Sequence, residues 1–131
     1  MAKLIPFLFS EDARAQAAFY AEAIQGTVQS VSTFGQMPGT DETLKDKVMH
    51  LCLSSSDITI FMADAMDDLT RGRNFSLNLE FPSAAEGQAA FDHLSTDAVG
   101  IRQPLAPAPW GGQYGELEDK FGVSWMITCP Q

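Results

Sequence analysis

Cations are scarce in this chain. Eight lysines and arginines stand against 17 aspartates and glutamates, a net charge of −9. Such a field repels phosphate backbones and anionic headgroups, which excludes nucleic-acid binding and membrane-surface docking. Cysteine is nearly absent too. Cys52 and Cys129 are too few for a disulfide framework, and their spacing matches no zinc motif. No apolar run approaches the roughly 20 residues of a membrane span, and Met1–Ser10 lacks a secretory layout. The expectation is a reduced, cytoplasmic protein. What is present is a globular profile: 131 residues, 45% apolar and 19% charged, enough for one compact domain over residues 1–131.

The chain repeats itself. Gln16-Ala17-Ala18-Phe19 recurs as Gln88-Ala89-Ala90-Phe91, 72 residues later. Each copy follows a strand-like run and precedes a glycine, Gly26 or Gly100. In the first copy, Lys3–Phe9 is a continuous apolar run, which predicts a strand covered on both faces. Ser10 is placed to cap the following helix, with Glu11 and Asp12 at the positive end of its dipole. Ala15, Ala18, Phe19 and Ala23 recur at helical spacing, and Gly26 ends the pattern. In the second copy, Asn74–Phe81 alternates, with Phe75, Leu77, Leu79 and Phe81 on one face and Ser76, Asn78 and Glu80 on the other. Ser83 and Glu86 spell a capping box, and Gly87, Ala90, Phe91 and Leu94 form the helix stripe.

Three further strands follow each helix. They are expected at Thr27–Phe34, Lys47–Leu53 and Ile58–Met62, then at Val99–Leu105, Gln113–Glu118 and Val123–Cys129. Ser54–Asp57 and Asp119–Gly122 read as tight turns, Gly35–Asp46 and Pro104–Gly112 as long loops, and Asp64–Arg73 as the connection. The result is an α+β chain of two βαβββ modules, about 1–66 and 73–131.

A duplicated βαβββ chain of this length resembles the glyoxalase/bleomycin-resistance/dihydroxybiphenyl-dioxygenase, or vicinal oxygen chelate, superfamily. Its PhnB-like branch, also labelled a 3-demethylubiquinone methyltransferase family, is resembled through specific strings. These are Ala18-Phe-Tyr20, Phe34-Gly-Gln-Met-Pro38, Val48-Met-His50, Met62-Ala-Asp-Ala-Met66, Trp110 and Asp119–Ile127. The resemblance implies a U-shaped mixed sheet around a cavity, with helices outside. It also implies four inherited metal-ligand places, which fall near Ile5, Phe61, Ser76 and Met126. None of these is His, Asp or Glu, so no metal and no cofactor are expected. The chain also lacks the glycine-rich nucleotide loop that a methyltransferase using S-adenosylmethionine would need.

Several polar residues are candidates for a site. His50 shares a strand face with Val48, Cys52 and Ser54, while Met49, Leu51 and Leu53 are expected beneath the helix. The histidine is either bonded within the sheet or in contact with a ligand; the family resemblance favours the ligand. Ser76 and Asn78 would face the same cavity, with Glu80 at the strand end. Tyr114, Glu116 and Glu118 alternate along one strand, and Glu116 is the candidate cavity carboxylate, paired with His50 for catalysis. A plain surface acid is the competing reading of Glu116. Trp110, flanked by proline and glycine, is a candidate lid, and Phe7, Phe9 and Met126 are candidate apolar contacts. Trp125 reads as core, His93 as exposed, and Asp64, Asp67 and Asp68 as a solvated linker.

The expected function is metal-independent binding of a compact, largely apolar small molecule by a homodimer. The alternative is a metal-dependent isomerase, lyase or dioxygenase that uses His50 with Glu116 or Glu80.

Overall fold

The computed structural model describes residues 1–131 as two compact units, Met1–Leu69 and Thr70–Gln131. The first unit runs β1 (Phe7–Ser10), α1 (Ala13–Ile24), β2 (Thr27–Thr33), β3 (Val48–Ser55) and β4 (Ile58–Asp64). Its sheet has the order β1-β4-β3-β2, with β1 parallel to β4 and the other pairs antiparallel. The second unit repeats the plan with β5 (Leu77–Glu80), α2 (Ala84–Leu94), β6 (Gly100–Pro107), β7 (Gln113–Glu118) and β8 (Ser124–Cys129). Its order is β5-β8-β7-β6, with β5 parallel to β8. The α+β class and the doubled βαβββ order are therefore present. No helix is long and apolar enough to cross a membrane.

Each helix covers one face of its own sheet, and the pleat decides which side chains it meets. Under α1 lie Leu51, Leu53, Ile60 and Met62, each no more than 3% exposed. The second unit buries Leu79, Leu117, Trp125 and Ile127 in the same way, as the alternation in sequence requires. Asn78, one residue from Leu79, is exposed. Two glycines let α2 sit close. A Cβ on Gly87 would come 2.7 Å from Cys129 Sγ, and one on Gly115 would come 2.7 Å from the Phe91 ring.

Several local expectations are corrected. The first strands are short, because Lys3–Pro6 and Asn74–Ser76 lie outside the sheets. β1 is not covered on both faces: Phe7 is 41% exposed and Phe9 61%. Phe75 also stands outside its strand and is exposed. Asp12, not Ser10, caps α1, its carboxylate accepting from Ala15 N, while Ser10 Oγ accepts from Asp12 N. Gln25, not Gly26, takes the left-handed position that ends α1, at φ 55°. The buried stripe of α1 is Ala13, Gln16, Ala17, Phe19, Tyr20, Ala23 and Ile24, leaving Ala15 and Ala18 exposed. In α2 Ser83 is the cap as expected, its Oγ accepting from Glu86 N, and the expected stripe is buried. Gly35–Asp46 carries two short 3-10 turns, Phe34–Gln36 and Glu42–Leu44. β6 extends to Pro107, through residues expected to be loop.

Asp64 is no solvated linker residue. Its carboxylate accepts from Ala13 N at 2.8 Å and Val48 N at 2.7 Å, tying the start of α1 to the start of β3. Asp119 does more than occupy a turn. It is fully buried; Oδ1 accepts from Phe121 N and Val123 N, and Oδ2 from the Trp125 indole at 2.8 Å. A buried carboxylate needs such donors to offset its desolvation. The Asp119–Gly122 turn is therefore locked to the largest core side chain of its unit.

Candidate functional site

The sheet face of the first unit that points away from α1 is aromatic around one imidazole. Phe7 on β1 is paired with Phe61 on β4, and Phe61 with Cys52 on β3. The Phe7 and Phe61 rings lie 6.3 Å apart, near perpendicular, and Phe9 lies 5.1 Å from Phe7. His50 stands beside them, its ring 4.5 Å from Phe61 and 5.9 Å from Phe7. The parity read from sequence puts His50 on this face, with Leu51 and Leu53 beneath the helix. Phe61 completes the frame. In sequence it stood out only as an inherited ligand place, because a phenylalanine in a strand signals core before it signals a site. The face offers ring surface with one group that both donates and accepts hydrogen bonds.

The corresponding face of the second unit has different chemistry. Asn78, Met126, Glu116 and Gln103 are neighbours across β5, β8, β7 and β6. Glu80, Thr128, Tyr114 and Ala106 form the adjacent row. Tyr114 and Glu116 lie two residues apart on β7, so their side chains share this face. Burial first, and then the neighbouring Glu116 carboxylate, push the Tyr114 phenol up to about 12. Glu118 pairs with Arg102 at 3.6 Å. Trp110 caps the hairpin and meets Tyr114 edge to face, with ring centroids 5.6 Å apart. It is 71% exposed. Ser76 lies just outside β5 and is half-buried. The structure thus brings Trp110, Tyr114 and Glu116 together in one unit, and Phe7, Phe9 and His50 in the other.

The superfamily's metal is tested by the donors present. Phe61 and Met126 stand on these faces, while Ile5 and Ser76 lie just before β1 and β5. A phenyl ring, an alkyl chain, a thioether and a hydroxyl do not suit a hard or borderline divalent ion. No group of three or more His, Cys, Asp or Glu side chains is gathered to hold one elsewhere. The inherited residues do not fit the metal. Neither strand-to-helix turn suits a nucleotide cofactor: β1 meets α1 through Glu11 and Asp12, and β5 meets α2 through Phe81, Pro82 and Ser83.

Cys129 is buried against α2, and burial pushes its thiol up, which opposes nucleophilic use. Cys52 is half-buried beside Phe61. His93 is partly exposed on α2.

Comparison with known proteins fits this architecture. The family model described as 3-demethylubiquinone-9 3-methyltransferase matches residues 2–128. Protein YjdN of Escherichia coli (strain K12) is 26% identical over 95% of this chain and 93% of its own. The crystal structure of PA1353 from Pseudomonas aeruginosa superposes with TM-score 0.87 at 28% identity, covering 100% of this chain and 99% of that one. A PhnB protein from Bacillus cereus gives TM-score 0.80 at 25% identity, covering 98% and 99%. The fosfomycin resistance protein FosX of Listeria monocytogenes shares the fold alone, with TM-score 0.70 at 12% identity over 99% and 94%. A doubled βαβββ chain matched from end to end by these sequences and folds belongs to the PhnB-like, 3-demethylubiquinone-9 3-methyltransferase family.

Proposed function

We propose that this protein binds a compact, largely apolar small molecule on the open face of the first unit, without the superfamily's metal centre. The observation that carries the reading is His50, framed by Phe7 and Phe61 at 5.9 and 4.5 Å on a face where Phe7 and Phe9 remain exposed. Small-molecule sites combine ring surface with a few polar groups that fix orientation, and this face has both. His50 would orient a hydroxyl or carbonyl on the ligand. On the second unit, Ser76, Asn78, Tyr114, Glu116, Met126 and Trp110 are the proposed ligand contacts, with Glu116 the polar anchor.

The family label names methyl transfer, but neither strand-to-helix turn carries the glycine-rich loop that a nucleotide cofactor uses. Sequestration of the ligand requires neither metal nor cofactor. We further propose a single functional domain over both units, acting as a cytoplasmic homodimer. The edge strands β1, β2, β5 and β6 leave backbone groups for a partner chain to cover.

Elemental analysis of protein purified without chelator, followed by a thermal-shift screen of metals and small metabolites, tests the proposal. The expected result is a metal-poor protein stabilised by an apolar compound, with the shift abolished in His50→Ala. Stoichiometric transition metal that is lost in His50→Ala would overturn it, in favour of an enzyme using His50 with Glu116 or Glu80.

A further inference from the structure

We infer that Trp110, Tyr114 and Glu116 form a half-open aromatic cage for an alkylammonium group. This extends the reading of the second unit's open face as ligand-contacting, but depends on neither His50 nor the absence of metal.

The geometry is that of cation recognition. Two electron-rich rings meet edge to face at 5.6 Å, so their faces bound a corner instead of stacking shut. The carboxylate of Glu116 stands on the same sheet face, two residues from Tyr114 along β7. A cation over a ring face is attracted by the ring's quadrupole, most strongly over tryptophan, and a nearby carboxylate adds charge. The acids beside it are not equivalent. Glu118 has Arg102 as a partner, whereas no lysine or arginine pairs with Glu116. Glu116 is left to meet a positive ligand, in a chain of net charge −9 that draws cations towards it.

The corner is also held in place. Gly111 and Gly112 adopt φ 96° and 71°, which lets the hairpin reverse directly after Trp110. Ala108 N donates to Gly112 O at 3.0 Å, and Gly111 N to Ala108 O at 3.1 Å. A Cβ on Gly112 would come 2.7 Å from Cys129 O, so the hairpin is seated against the end of β8. Trp110 is 71% exposed, yet its backbone is fixed and its ring rests on Tyr114.

The test compares choline with its uncharged carbon isostere, dimethylbutanol, by calorimetry and tryptophan fluorescence on the intact chain. Trp110 is exposed and Trp125 is 1% exposed, so a ligand at the cage changes the emission of Trp110 and leaves the buried indole as an internal reference. Choline is expected to bind saturably and more weakly as salt rises, and dimethylbutanol is not. Glu116→Gln should weaken choline about tenfold, the loss of a single charge contact. Trp110→Ala should abolish binding in calorimetry, with an unchanged near-ultraviolet signal from Trp125 showing that the fold persists. Equal binding of both compounds would reduce the site to an apolar patch and overturn the inference. So would no binding of choline, or choline binding unaltered by both variants. An apolar compound that stabilises His50→Ala as well as the unaltered chain would instead count against the proposed function and leave the cage standing.

Discussion

The two units are built from one plan and differ even where their sequences agree. Gln16-Ala-Ala-Phe19 and Gln88-Ala-Ala-Phe91 both lie in the helix that covers the sheet. In α1 the glutamine is the fourth helical residue, and in α2 the fifth. One residue rotates a helix by about 100°. Gln16 and Ala17 are therefore buried, whereas Gln88 and Ala89 are exposed. The glutamine keeps its i,i+4 partner in both. Gln16 Nε2 donates to the Tyr20 hydroxyl inside the core, and Gln88 Nε2 to the Asp92 carboxylate in solvent, each at 2.8 Å. The phenylalanine is buried in both. The lesson is that a repeated string does not carry its burial with it; the cap decides the phase.

The open faces diverge further, one a histidine among phenylalanines, the other carboxylates beside a tyrosine and a tryptophan. The carboxylates that secure the units also differ in depth. Asp119 is fully buried with three donors, whereas Asp64 is half-buried with two. Asp119→Ala should cost about 3–5 kcal/mol in a urea titration and Asp64→Ala about 1–3 kcal/mol, because water reaches the donors that Asp64 leaves. Equal losses would mean that the two locks are equivalent.

Adjacent residues of β5 sharpen the contrast between covered and open faces. Leu79→Ala should cost about 2–5 kcal/mol. Asn78→Ala should stay within about 0.5 kcal/mol. The reverse order would put the second sheet inside out.

Helix packing separates the units next. Gly87→Ala forces a methyl towards Cys129 and should cost about 1–3 kcal/mol. Ala18→Gly, on the exposed side of α1, should cost only its helix propensity, about 0.5–1 kcal/mol. A neutral Gly87→Ala would show that α2 is loosely seated.

The smallest expected effect is a titration. The Tyr114 phenolate step, isolated as the difference from Tyr114→Phe, should lie near 12, above the ordinary value of 10.0. A raised folded pKa means the folded chain holds its proton longer than the unfolded one, so this contribution to stability is complete below pH 10 and lost as pH rises towards 12. Glu116→Gln should bring the step down. A step that does not move would remove the carboxylate from the account.

Much of this was legible in sequence, for physical reasons. Strict alternation at Leu77–Glu80 and along His50–Leu53 fixed which side chains lie under a helix, because a strand's period is two. It failed at Val48, expected beside His50 but fully buried, where the pairing of β2 with β3 is irregular. Ser83 marked the start of α2 correctly. The start of α1 misleads: in sequence Ser10 reads as the cap and Asp12 as a dipole charge, whereas Ser10 accepts from the Asp12 amide and Asp12 from Ala15. The apolar run Lys3–Phe9 misled, because a sheet face that carries exposed phenylalanines reads like one buried on both sides. The roles of Asp64 and Asp119 depend on long-range and indole partners that spacing does not show. Asp119, two residues before an amide and six before a tryptophan, offered at least an Asx-turn signal. Phe61 was hidden for the opposite reason: its residue type is the ordinary one for a core.

The central claim is that the phenylalanine-framed histidine of the first unit binds a ligand without metal. Aromatic-side-chain NMR of chelator-treated protein, titrated with benzyl alcohol, tests it most directly. The account predicts saturable shifts at Phe7, Phe9, His50 and Phe61, unchanged by added manganese and lost in His50→Ala. An unperturbed first-unit face, or shifts that appear only once manganese is supplied, would contradict it.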